Sequence, residues 1–185
     1  MKRLFAAIPI HLTDESRQTI GLIQQEMRDD KIKWVHPENT HLTIKFFGET
    51  SEDRIDDICE AMDDAAIGIE PFTLRMERLG IFGSRYKPKV IWLGFDENQE
   101  IIRLQKNILK ELEKIDIYED RQNFVPHLTI GRIKFIKHKR FFQETIDKYK
   151  EAFSQENTIE KFHLFESILK PAGPRYEIVE TFRFQ

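Results

Sequence analysis

The tetrapeptide His-Leu-Thr-Ile occurs twice, at 41–44 inside HLTIKFFGE and at 127–130 inside PHLTIGRI. Each copy lies in a run with strand character, where successive side chains point to opposite faces. His and Thr at i and i+2 then share one face, while Leu and Ile share the other. A chain with two such strands must bury one side of each and leave the other side open to chemistry. Histidine can donate or accept a proton near neutral pH, so two of them in equivalent settings point to an acid and base pair. One histidine in an apolar strand is more often a hydrogen-bonded core or edge residue. The fixed offset to threonine, repeated, is the added information.

Around the two copies the pattern alternates between strands and helices. KRLFAAIPI reads as a strand, and DESRQTIGLIQQEMRDD as a helix with Ile20, Ile23 and Met27 at helical spacing. IKWV is a short strand, Pro37-Glu38-Asn39 a turn, and THLTIKFF a strand stopped at Gly48. SEDRIDDICEAMDDAA is a helix with Ser51 as its N-cap. FTLRMERLGIF and KVIWLGF form a hairpin around GSRYKP, and NQEIIRLQKNILKELEKI carries an apolar stripe at Ile101, Leu104, Ile108, Leu112 and Ile115. An acidic loop then leads into NFVPHLTIGRI. KRFFQETIDKYKEAF is the last helix, and TIEKFHLFESIL pairs with PRYEIVETFRF around LKPAGP. Interleaved elements with hairpin-like pairs favour an α+β chain with mostly antiparallel pairing. One His-x-Thr-x in each half suggests two similar lobes facing across a groove. Residues 1–185 read as one two-lobed domain.

Several function classes lack support. Lys and Arg total 29 against 32 Asp and Glu, a net charge of −3, which argues against a protein held to long nucleic acid by its overall field. A local basic pocket remains open, with Lys33, Lys45, Arg132 and Lys134 as candidates. Zinc sites need three or four ligands at spacings such as H-E-x-x-H or C-x-x-C, and none occurs, so no metal is expected. The sequence has no G-x-x-x-x-G-K-[ST], G-x-G-x-x-G or G-x-S-x-G pattern, and no cofactor is expected. Cys59 has no partner and is expected to pack on the inner face of its helix. The start MKRLFAAIPIHLTDES has too short an apolar stretch for a signal peptide, and no run is long enough for a membrane span. A soluble, cytoplasmic chain without membrane contact, monomeric in action, is expected. His11, His36, His138 and His163 have weaker claims than the motif pair. Trp34, Phe46, Phe47 and Phe165 could stack on a base, although most of the 15 phenylalanines must serve the core.

RLFAAIPI, KWVHPENTHLTIKFFGE, KVIWLGF, FVPHLTIGRI and LFESILKPAGPRYEIVETF together resemble the two-histidine phosphoesterase superfamily. Within it they resemble the RNA 2′,3′-cyclic phosphodiesterase family, formerly called 2′-5′ RNA ligase. The resemblance runs nearly end to end. It implies a bilobal fold with two pseudo-symmetric, largely antiparallel sheets flanked by helices around a central groove. It implies an RNA substrate ending in a 2′,3′-cyclic phosphate, opened to a 2′-phosphate without a metal. His41 would be the proton donor and His127 the proton acceptor. Thr43, Thr129 and Arg132 would bind the phosphate. The alternatives are a ligase or another cyclic-nucleotide phosphodiesterase using the same site, and, in a different class, a noncatalytic module that binds RNA ends.

Overall fold

A computed structural model describes residues 1–118, 123–171 and 173–184. Nine strands and four α-helices follow in the order β1 (Lys2–Pro9), α1 (Asp14–Glu26), β2 (Lys31–Trp34), β3 (His41–Thr50), α2 (Ile55–Ala66), β4 (Phe72–Ser84), β5 (Lys87–Phe95), α3 (Gln99–Glu113), β6 (His127–Phe135), α4 (Lys139–Lys148), β7 (Gln155–Ile159), β8 (Lys161–Lys170) and β9 (Gly173–Arg183). All pairings are antiparallel, in the order β7-β4-β5-β6-β3-β1-β8-β9, with β2 also on β6. The two expected sheets are thus two halves of one, joined where β3 meets β6 at the single pair Leu42–Leu128.

Neither half-sheet is contiguous in sequence. The run β1-α1-β3-α2 sends its next strand, β4, across to pair with β5. The run β5-α3-β6-α4 in turn sends β8 back to pair with β1. The helices divide in the same way. Glu26 at the end of α1 receives hydrogen bonds from the Lys148 ammonium and the Tyr149 hydroxyl beyond α4, while α2 packs on α3, where the Asn107 amide donates to the Ala65 carbonyl at 3.2 Å.

Local chemistry accounts for most boundaries. Thr13 caps α1 by accepting from the Ser16 amide, and Asp14 and Glu15 favour the positive end of its dipole. Asn98 caps α3 by accepting from the Glu100 and Ile101 amides, and the stripe Ile101, Leu104, Ile108 and Leu112 is wholly buried. Three expectations change. A 3-10 turn, Glu52–Arg54, precedes α2, and the Ser51 hydroxyl bonds the Asp53 carboxylate instead of capping a backbone amide. Strand β3 does not stop at Gly48, which adopts φ 73° inside the strand, but runs to Thr50. The final strand pair is three strands, because the chain crosses from one half-sheet to the other at Glu160, where the Phe184 amide donates to its carbonyl at 3.0 Å. Residues 119–122 of the expected acidic loop, and 172 in the LKPAGP turn, lie outside the described residues.

The main core includes Leu42, Ile44, Leu128 and Ile130, so the apolar face of both motif strands is covered by the helices. A second, small cluster of Phe5, Ala7 and Phe165, with Tyr176 against it, lies on the opposite face. Cys59 is half-buried against the main core, and burial pushes its thiol pKa up, away from thiolate reactivity. No helix among the described residues is long and apolar enough to cross a membrane.

Candidate active site

Both motif strands open with the same burial sequence: half-buried, buried, half-buried, buried, buried, exposed. The cause is a β-bulge at the same place in each. Thr43 pairs with Ala7 and Lys45 with Ala6, which skips Ile44; Thr129 pairs with Trp92 and Gly131 with Ile91, which skips Ile130. An extra residue in one strand reverses the facing of everything after it. Strict alternation from His127 would send Arg132 into the core, whereas the bulge returns it to the histidine face. The matching bulge turns Lys45 away from that face and puts Phe46 there instead, opposite Phe5.

Four motif side chains therefore meet on one surface. Counting antiparallel from Leu42–Leu128 puts His41 level with Thr129 and His127 level with Thr43. The imidazoles are held alike: Nδ1 of His41 lies 2.7 Å from the Asn39 carbonyl, and Nδ1 of His127 lies 2.7 Å from the Val125 carbonyl. A carbonyl only accepts, so Nδ1 carries the hydrogen in both rings. Nε2 is left to meet a ligand, as an acceptor in the neutral ring and a donor in the cation.

Electrostatics couple the groups. Burial is the main cause that lowers both histidine pKa values below the ordinary 6.5; the backbone hydrogen bonds oppose it, and the Arg132 guanidinium lowers both further. His127 also lowers His41. One guanidinium thus acts on both rings. Such a surface, with two proton-transfer nitrogens, two hydroxyls and one bidentate cation, suits a phosphoryl group under in-line attack.

Each ring is braced by aromatic neighbours that the motif reading did not single out. Phe5 and Tyr176 flank His41 at centroid distances of 5.0 and 5.2 Å, and Phe82 stands edge-on to His127 at 4.7 Å. Phe82 leans in turn on Trp92, 5.2 Å away, whose indole lies across Gly80 and Gly94. A Cβ at Gly80 would fall 2.4 Å from the indole. Gly80→Ala is therefore expected to destabilise the protein by about 1–3 kcal/mol through overpacking, and to lower activity by displacing Phe82 from His127. Gly21→Ala, in open space on α1, should gain up to about 1 kcal/mol. Denaturant midpoints measured on both variants check the contrast. The sequence signal for this brace was a glycine at each position that the indole overlies.

The other candidates fall into place. Lys33 is exposed and opposite Arg132 on β2, and Lys134 is exposed further along β6. Lys45 departs from the expected basic pocket: it is buried with its Nζ donating to the Tyr118 carbonyl at 3.1 Å. Phe46 is exposed on the site face and Phe165 belongs to the groove-face cluster, whereas Trp34 and Phe47 pack on the main core. His11, His36 and His138 are exposed, and His163 is buried with Nδ1 2.9 Å from the Thr181 hydroxyl. No cluster of three or more His, Cys, Asp or Glu suited to a metal occurs among the described residues.

The sequence pattern of the LigT like phosphoesterases matches twice, over residues 10–92 and 93–176, with one motif in each match. The chain belongs to the LigT-like phosphoesterase family. Among its relatives is the RNA 2′,3′-cyclic phosphodiesterase of Methanocaldococcus jannaschii, 33% identical over 178 residues that cover 96% of this chain and 98% of that one. The protein of the same name from Archaeoglobus fulgidus is 32% identical over 181 residues, covering 97% and 99%. A crystal structure from Thermus thermophilus superposes with a TM-score of 0.78 at 28% identity, over 98% of this chain and 97% of that one. Escherichia coli LigT, crystallised with 3′-AMP, superposes at 0.79 over 100% and 98%; at 20% identity it shows the shared LigT-like fold.

Proposed function

We propose that this chain is a metal-independent RNA 2′,3′-cyclic phosphodiesterase that opens a terminal cyclic phosphate to a 2′-phosphate. One observation carries the reading: two imidazoles with the same Nδ1 anchor, on strands from the two half-sheets, both lie in the field of one guanidinium. Water attacks phosphorus as Nε2 of His127 takes its proton. The bond to O3′ breaks as Nε2–H of His41 protonates the departing oxygen. Thr43 and Thr129 donate to nonbridging oxygens, and Arg132 neutralises the charge that gathers there. The five-membered ester is strained, so this acid and base pair is sufficient without a Lewis acid. The full-length relatives of that name support the substrate class. In this reading both walls come from one chain, and residues 1–185 act as a single two-lobed unit that turns over as a monomer.

The test is an RNA oligomer with a 2′,3′-cyclic end, incubated with the protein in EDTA. Conversion to a 2′-phosphate end is expected; persistence of the cyclic end after long incubation overturns the reading.

The pH profile follows from the same geometry. The reaction needs His41 charged and His127 neutral, so kcat/KM should be bell-shaped. Both pKa values are lowered in the free protein, which places the bell below the ordinary imidazole value. A bound phosphate anion favours the imidazolium, so the arms of kcat should lie at higher pH than those of kcat/KM. Initial rates between pH 4.5 and 9 read both, and a flat profile contradicts the mechanism.

A further inference from the structure

The two-fold repetition around the groove breaks at the β8–β9 hairpin. β8 and β9 pair along their whole length, from Lys161–Arg183 to Lys170–Gly173. The corresponding outer pairing of β4 with β7 covers only Phe72–Met76. The start of β9 therefore stands beside the groove on the His41 side, with no equivalent strand at His127 among the described residues.

That extension carries Tyr176, opposite Ser167 in the ladder. Its ring is edge-on to His41 at 5.2 Å and 88°, and to Phe5 at 5.0 Å and 72°. Asn39 fixes the arrangement from both ends. Its carbonyl accepts from His41, and its side-chain amide donates to the Pro174 carbonyl at 3.3 Å, two residues before Tyr176. Burial pushes the phenol pKa up, while Arg132 and Arg3 pull it down. The hydroxyl thus stays a neutral donor at pH 7, in the field of the same guanidinium that acts on both histidines, and no protein hydrogen bond occupies it among the described residues.

We propose that Tyr176 is a further catalytic residue, whose hydroxyl donates a hydrogen bond to a nonbridging phosphoryl oxygen of the bound ester from the His41 side. The proposal rests on the cyclic-phosphate reading of the site. It accounts for a feature that the repeat leaves open. Threonine and histidine are duplicated across the groove, so they alone would accept the ester in two orientations. Arg132 on the strand of His127 and Tyr176 beside His41 are different donors, and together they give the groove a direction.

Tyr176→Phe keeps the ring against His41 and Phe5 and removes only the hydroxyl, so the unfolding temperature should not change. On cyclic-phosphate RNA its kcat should fall about 10²-fold, as for loss of one oxyanion donor. KM should stay within about threefold, since the bond strengthens as charge develops. The pH arms should not move, because both imidazoles keep their surroundings. An unchanged kcat, or a loss confined to KM, overturns the role of Tyr176 while leaving the site reading intact. An inactive wild-type protein on the same substrate overturns the site reading itself.

Discussion

His41→Ala and His127→Ala should each lower turnover of a cyclic-phosphate RNA end by about 10²–10⁴-fold, the usual worth of a positioned acid or base. The loss should appear in kcat, with substrate binding little changed, because Arg132 and both threonines remain. The double variant should be hardly slower than either single one, since an acid and a base that act in one displacement do not contribute additively. Stability is a built-in control. Both rings are half-buried, and the aromatic contacts each loses, with Phe5 and Tyr176 or with Phe82, are worth about 0.5–1.5 kcal/mol. A folded variant that retains wild-type turnover removes that histidine from the mechanism. A folded wild-type protein that binds RNA ends without turnover would leave the noncatalytic binding module standing.

Arg132→Ala should cost about 10²–10³ in kcat/KM, through loss of a charged donor at the phosphoryl oxygens. Arg132→Lys should recover little, because an ammonium cannot make the paired, planar contact of a guanidinium. The second effect is more specific. Arg132 lowers the pKa of both histidines, so removing its charge lets both rise, and both arms of the kcat/KM profile should move to higher pH. Lysine, with its charge retained, should leave the arms nearer their original place. An alanine variant with unchanged kcat, KM and pH arms would show that the guanidinium acts on neither phosphate nor imidazole.

What could be read in the sequence depended on whether a local pattern carried the information. The α3 stripe, the start of α1 at Asp14 and the two motif strands are local, and the structure has them where the sequence pattern puts them. The motif face is also local as far as Thr43 and Thr129. Beyond them it is set by the bulges, and neither Ile44 nor Ile130 differs in type from an ordinary strand residue. Lys45 therefore looked available and is buried, while Arg132 faces the groove against strict alternation. The split at Glu160 was illegible for a related reason: no glycine or proline interrupts the strand-like run, and the crossing is decided by which half-sheet has an edge to offer. Tyr176 lies 135 residues from His41, and a contact of that span leaves no periodic trace.

The exchange of β4 and β8 between the half-sheets bears on how such a molecule could be divided. One half alone, β1 to β4, would carry a strand whose neighbour lies in the other half, so it could complete its pairing only against a second copy. The two family matches, 10–92 and 93–176, do not follow that division: the first omits β1 and takes in most of β5. Cutting between residues 92 and 93 would fall inside β5 and spoil that pairing, whereas a break in the β4–β5 turn at Arg85-Tyr86 leaves both fragments with whole strands. Those fragments, each incomplete by itself, should reassemble when mixed.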